Sequence, residues 1–299
     1  MLVLCATSLH AKDIRIAHIY DKTGPLESYG IQTQRGLELG IEYATQGAMA
    51  VNGNKIVIIE RDARGKPDVA KSQLAAAYED DKADIAVGPT SSGEALAMLP
   101  VAEEYKKILL VEPATAEAIT GDKWNRYIFR TARNSSQDAG GAAAALDKPG
   151  VSIGTLVQDY AFGRDGIKAF KEALKNAKVV HEEYLPFDTS DFTAGAQRLF
   201  DALKDKPGRK IIYIKWAGVG NPYKIAELDP KRFGIEIAPM HFGAQKSQIR
   251  QRERATQGES KLAPQSGGHG ELLAAMEAMK LLVASLGVEQ VKRIAELLG

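Results

Sequence analysis

Thiol chemistry is almost absent from this sequence: its single cysteine is Cys5, inside the apolar opening "MLVLCATSLHA". A chain beginning near Lys12 would carry no thiol at all, which excludes disulfides, cysteine-ligated metals and a cysteine nucleophile. Excess charge is equally scarce, since 39 Lys and Arg stand against 38 Asp and Glu and leave +1. That balance gives no field to gather nucleic acid or an anionic membrane surface, so small neutral or zwitterionic partners fit better. After the opening stretch, no segment approaches the roughly 18 consecutive apolar residues of a membrane span. There is no phosphate-binding G-x-x-x-x-G-K-[ST] loop, and "GVGN" at 218–221 is too short and too late in its strand series for a dinucleotide fingerprint. No nucleotide, metal or other cofactor is therefore expected. "RQRER" at 250–254 reads as a solvated run of charge.

What the sequence does contain is rhythm. From Ile14 onward, short β-branched runs alternate with helical periods: "IRIAHIY", a helix near Gln32 to Ala48, "KIVIIERD", a helix near Asp68 to Asp80, then "ADIAVG". A helix at Glu94 to Lys106 and the strand "KILLVEP" follow, and the consecutive apolar residues of that strand suit a parallel strand covered on both faces. "AITGDKWNRYIFRT" breaks the pattern, with Gly121-Asp122 as a turn and "YIFRT" extended. A second series runs through helices at Ser136 to Leu146, Gly166 to Lys175 and Ala194 to Leu203, separated by "VSIGTLVQD", "KVVHEEYLP" and "KIIYIKWAG". It closes with a helix near Pro222 to Leu228 and the strand "GIEIAP".

A length of 299 residues gives a prior of about two domains. The expected class is α/β, with two doubly wound lobes joined by a hinge. Residues 12–120 form the first lobe and 121–240 the second, the link falling near 118–132. Residues 1–11 resemble the end of a secretory signal without its basic start. Residues 241–270 are rich in Gln, Arg, Lys and Ser and show neither period, so they read as irregular. Two helices at 271–299, the first with Leu272, Leu273, Met276, Met279, Leu282 and Val283 on one face, are candidates to return to the first lobe.

In doubly wound sheets, ligands bind where strands end and helices begin. The loops that matter are "DKTGPLESYG", "GPTSSGEA", "EPATAEA", "QDYAFGRDG", "WAGVGNP" and "APMHFG". Ser91 and Ser92 allow three readings. As nucleophiles they need a base, yet the histidines at 10, 18, 181, 241 and 269 form no such pattern, and the surroundings are not a G-x-S-x-G elbow. As plain helix caps they would leave Glu94 or Glu103 facing solvent. As caps that also hold a ligand, their hydroxyls and nearby N–H groups would grip a carboxylate. Tyr29, Tyr160, Phe162 and Trp216 lie in or beside these loops as candidate pocket walls. "NSS" at 134–136 matches a glycosylation sequon but reads better as a cap.

The stretches "IRIAHIYDKTGPLESYG", "ADIAVGPTSSGEALAMLPVAEEYKKILLVEPATA", "KWNRYIFRT" and "QDYAFGRDGIKAFKEAL" resemble the branched-chain amino acid type substrate-binding proteins of ABC importers, within periplasmic binding protein class I. The subgroup associated with aromatic acids and amino-acid-like solutes is the nearest in look, and the likeness runs from about Asp13 to Ala238. It implies a periplasmic, monomeric, non-enzymatic protein that clasps a small carboxylate or amino acid between two lobes and delivers it to a membrane permease. Carried over by position, it implies that Ser91 and Ser92, completed by Ala114 and Thr115, hold the ligand carboxylate. Tyr29 would lie over the ligand, and Tyr160, Phe162 and Trp216 would close from the second lobe. Where amino-acid binders of the family place an acid for the ligand ammonium, this chain has Met240 and His241. Beyond that point it departs from the family and reads as a truncated or rearranged member. A ligand-sensing receptor domain of the same fold and a serine hydrolase are the rival readings.

Overall fold

A computed structural model describes residues 12–218 and 220–238. The readings made above for residues 1–11, for Met240 and His241, and for 241–299 lie outside them.

The strands are β1 (Ile14–Tyr20), β2 (Ala50–Val51), β3 (Asn54–Asp62), β4 (Ile85–Val87), β5 (Leu109–Val111) and β6 (Ile128–Arg130), followed by β7 (Val151–Gln158), β8 (Lys178–Leu185), β9 (Arg209–Lys215) and β10 (Ile235–Ile237). The helices are α1 (Glu27–Ala44), α2 (Pro67–Glu79), α3 (Ser92–Tyr105), α4 (Ser135–Leu146), α5 (Ala161–Ala173) and α6 (Thr193–Leu203). One sheet has the order β2-β3-β1-β4-β5-β6 and the other β10-β9-β7-β8. All pairings are parallel except the short β2–β3 hairpin.

Helices cover both faces of each sheet, so consecutive strand residues are apolar. In the first lobe Ala17 and Ile19 face α2 and α3 through Leu74, Tyr78, Met98 and Leu99, while Ile16 and Val87 face α1 through Leu37 and Ile41. In the second, Ile153 and Ile211 meet Phe170 of α5 and Ala139 and Ala143 of α4; Leu156, Ile212 and Ile214 meet Leu199 and Phe200 of α6. The class is the expected one. Because Ile128–Arg130 pairs with β5, sheet membership puts the crossing between lobes after Arg130 and before Val151.

Among the described strands β8 is an edge, and it carries charge along its length. Glu182 pairs with Lys171 at 2.6 Å, and Glu183 with Arg198.

Two helices begin earlier than the sequence pattern suggested, and glycine is the reason. Gly30 closes the stretch read above as the loop "DKTGPLESYG", yet it lies inside α1, where an added Cβ would stand 2.1 Å from the Asp21 carbonyl oxygen. Gly166, taken as the start of α5, sits five residues into it and makes room for Lys215, whose Cε would be 2.4 Å from a Cβ. In both places glycine permits close packing rather than ending a helix.

A matched pair on α1 tests this. Gly30→Ala should destabilise by about 1–3 kcal/mol, as overpacking against backbone does. Gly36→Ala, with nothing within 4 Å of its Cβ, should stabilise by up to about 1 kcal/mol through helix propensity. Urea unfolding of the two variants reads the difference, and equal effects would contradict the packing account.

Candidate functional site

The turn after β4 and the start of α3 form the centre of the site. Ser91 is the N-cap in extended conformation, and its Oγ accepts the Gly93 N–H at 3.2 Å. Glu94 reaches back so that its Oε2 accepts the Ser91 N–H at 3.1 Å, which completes a capping box. Ser92 Oγ faces the other way and accepts two backbone N–H groups from the turn after β5, Thr115 at 3.2 Å and Ala116 at 3.1 Å. The Thr115 carbonyl in turn accepts the Ser135 hydroxyl at 3.0 Å, so the start of α4 joins the same corner.

The sequence thus places Ser91, Ser92, Ala114 and Thr115 together, all nearly buried. Their bonding differs from the bare clamp, because the Ser91 and Gly93 N–H groups are used within the cap. What remains for a ligand is the hydroxyl hydrogens of the two serines and the Thr115 hydroxyl, which is buried without a partner among the described residues. Glu94 does not face solvent as the capping-only reading supposed; it is wholly buried. Burial, reinforced by the charge of Asp21, pushes its carboxyl up to about 9.

Asp21 went unnoticed in the sequence. Its N–H donates to Thr90 Oγ1 at 3.1 Å, and its Oδ1 accepts the Gly65 N–H at 2.6 Å. The Ser-x-x-Glu spacing at 91–94 could have flagged Glu94, but nothing local to Asp21 announces that the two would meet.

From the second lobe, Tyr160 immediately precedes α5. Its ring stands edge-on to Phe187 at 4.9 Å and 5.8 Å from Phe162, and it approaches Gly93, where an added Cβ would lie 3.7 Å away. Beneath Phe162 lies Lys215, whose Nζ is 4.2 Å from the ring centroid and 3.2 Å from Asp138 Oδ2. Burial depresses the Lys215 pKa while the Asp138 carboxylate opposes that shift. Asp138 also accepts from Arg133 at 2.5 Å, on the crossing between lobes.

Tyr29 and Trp216 stand apart from this corner. Trp216 packs edge-on to Phe192 at 4.9 Å and belongs to the core of the second lobe. Tyr29 is 42% exposed and lines a cavity of about 500 Å³ with His18, Gln32, Leu110, Glu112 and Thr131. It is nevertheless near enough to Tyr160 and Tyr223 to help raise both phenols, whose main cause is burial. Of the described histidines, His18 stacks on Tyr20 at 4.3 Å and is held down to about 4 by burial, and His181 faces Glu183 at 3.3 Å. Neither bonds to Ser91 or Ser92, so no described histidine serves as the base a nucleophile needs. Asn134 caps α4 in a box with Gln137, as read for "NSS".

A model of the periplasmic binding protein family matches residues 13–204. The chain is 26% identical over 208 residues to the Leu/Ile/Val-binding protein homolog 3 of Brucella melitensis, covering 68% of this chain and 54% of that protein. It thus spans about half the length of that relative. Among solved structures, an ABC-type branched-chain amino acid transporter from Rhodopseudomonas palustris is 63% identical, with a TM-score of 0.60 over 75% of this chain and 62% of that one. A solute-binding protein of an ABC transporter from Rhodopseudomonas palustris BisB5, solved with 3,4-dihydroxybenzoic acid, is 28% identical, with a TM-score of 0.65 over 75% of this chain and 61% of that one.

The two serines should separate in denaturation experiments. Ser91→Ala removes one cap and should cost about 1 kcal/mol. Ser92→Ala strands two backbone donors and should cost about 2–4 kcal/mol. A Ser92→Ala cost no greater than that of Ser91→Ala would contradict the strap at this corner.

Proposed function

This chain belongs to the periplasmic binding protein family, and on that premise we propose that it is an extracytoplasmic solute-binding protein of an ABC importer. It captures a small carboxylate-bearing solute, an aromatic acid or a branched-chain or aromatic amino acid, between its two lobes. It works as a periplasmic monomer, performs no catalysis, and hands the solute to a membrane permease.

The observation that carries this reading is the corner at Ser91, Ser92 and Thr115. Three hydroxyls, one of them without a partner among the described residues, lie at the start of a helix whose dipole favours an anion. Tyr160 approaches the same corner from the second lobe, with Phe162 beside it at 5.8 Å, so that each lobe supplies half of a site. A ligand that touches both halves binds the closed arrangement better and shifts the population toward it. In this arrangement Ala114 shapes the floor, and Trp216 stiffens the second wall from within its core, while Tyr29 lines the neighbouring cavity. The solutes named for the similar proteins, Leu/Ile/Val and 3,4-dihydroxybenzoic acid, fit the same carboxylate chemistry.

Calorimetry of the chain against leucine, isoleucine, valine, benzoate and 3,4-dihydroxybenzoate tests the proposal. At least one should bind and raise the melting temperature as mass action requires. Phe162→Ala should weaken that solute by up to about tenfold, the worth of one aromatic contact. A well-folded sample that binds nothing on the panel would sink the reading.

A further inference from the structure

Asp21 and Glu94 are wholly buried, one at the end of β1 and the other in the first turn of α3. One oxygen of each is satisfied by backbone: Asp21 Oδ1 by Gly65 and Glu94 Oε2 by Ser91. The other oxygens, Asp21 Oδ2 and Glu94 Oε1, are buried and meet no donor among the described residues, while the two side chains lie within hydrogen-bonding reach of each other. Two ionised carboxylates have no donor between them, so a single proton held between the two is what satisfies both oxygens. No described cation forms an ion pair with either carboxyl, and the charge that acts on Asp21 from the end of β3 is another acid, Asp62. The other elements around the pair contribute backbone at Gly65 and Lys66, the Thr90 hydroxyl, and Tyr160 from the second lobe.

The cover near this pair is shared between the lobes: Pro67 and Pro25 stand beside Gly93 and Gly65 from the first lobe, and two aromatic rings come from the second. Tyr160 leans on Gly93, between Ser92 and Glu94. Phe187 approaches Gly65, the donor to Asp21, where an added Cβ would be 3.6 Å from its ring. We propose that Asp21 and Glu94 hold one shared proton that is taken up as Tyr160 and Phe187 close over them, which makes closing of the lobes a proton-coupled step. Closure removes water and favours the neutral carboxyl; opening readmits water and returns Glu94 toward an ordinary acid. The closed arrangement is then favoured as pH falls, by up to about tenfold per pH unit for one proton. This rests on the two-lobe closure of the proposed function, but its test requires no solute.

The test is the unfolding equilibrium of the full chain from pH 6.5 to 9.5, a range in which His18 is neutral in the folded state. The Glu94 carboxyl is raised from its usual 4.5 to about 9 in the folded chain. Its contribution is therefore complete at acid pH, is lost as pH rises toward about 9, and is constant above. Wild type should become less stable across the range and then level off. Glu94→Gln keeps the bond from Ser91 and donates its amide to Asp21, so it should flatten the profile and melt higher than wild type at pH 8. Asp21→Asn, which gives Glu94 a permanent donor, should also shrink the slope and serves if Glu94→Gln does not fold. Tyr160→Ala and Phe187→Ala should move the levelling to lower pH by admitting water. A slope that is the same in wild type and Glu94→Gln overturns the shared proton. A slope removed by Glu94→Gln but unmoved by Tyr160→Ala and Phe187→Ala overturns its link to closure. Because the melts contain no solute, failure of the binding panel and failure of this proposal are separate results.

Discussion

Ser92 Oγ, accepting two backbone N–H groups from the neighbouring strand's turn, is the bond on which the rest of the site depends. The turns after β4 and β5 are irregular and would otherwise leave buried donors unpaired, at a cost comparable to a lost hydrogen bond each. Once the strap is in place, α3 starts at a fixed position, the cap at Ser91 can form, and Glu94 is delivered into the interior beside Asp21. The Thr115 carbonyl is then presented to Ser135, which ties the start of α4 to the same point. One hydroxyl thereby coordinates two strands, two helices and the crossing between lobes.

The same corner shows how polar groups can be packed inside without disorder. Each carboxyl of the Asp21–Glu94 pair has one oxygen satisfied by the backbone of a neighbouring segment. In the second lobe, Lys215 is buried under the Phe162 ring and matched by Asp138, whose other oxygen is engaged by Arg133. In both cases a buried charge is shared between a sheet and the first turn of a helix, and groups left without such partners would be expensive. The aromatic walls rest on these polar supports, so wall and support are not independent.

Much of this was legible in the sequence, and the failures have physical causes. Consecutive apolar residues such as those around β5 announce parallel strands with both faces covered, and Asn134 announces its helix because capping is local. The class and the two-lobe layout follow from that rhythm. The starts of α1 and α5 were placed too late because Gly30 closes a stretch that reads as loop and Gly166 reads as a helix start, although tertiary contact is what demands both glycines. Glu94 was misjudged for a related reason: the cap is visible at three residues' spacing, but its burial depends on Asp21, more than seventy positions away. Trp216 follows β9 in a loop, whereas Tyr29 falls in the first turn of α1, and which way either ring turns depends on partners such as Phe192 that spacing does not reveal. The pairing of Lys215 with Asp138 has no sequence signature at all.

The charged edge strand β8 carries a consequence of another kind. An outermost parallel strand offers unpaired backbone groups to any passing segment, and alternating hydrophobic residues there would invite sheet extension between molecules. Along β8, Glu182 and Glu183 are clamped by Lys171 and Arg198 from the adjoining helices. A second chain seeking to add a strand would have to dislodge these pairs and set its own side chains against carboxylates. The ion pairs add little to folding stability; what they do is place paired charge, rather than apolar side chains, along an edge of the described sheet.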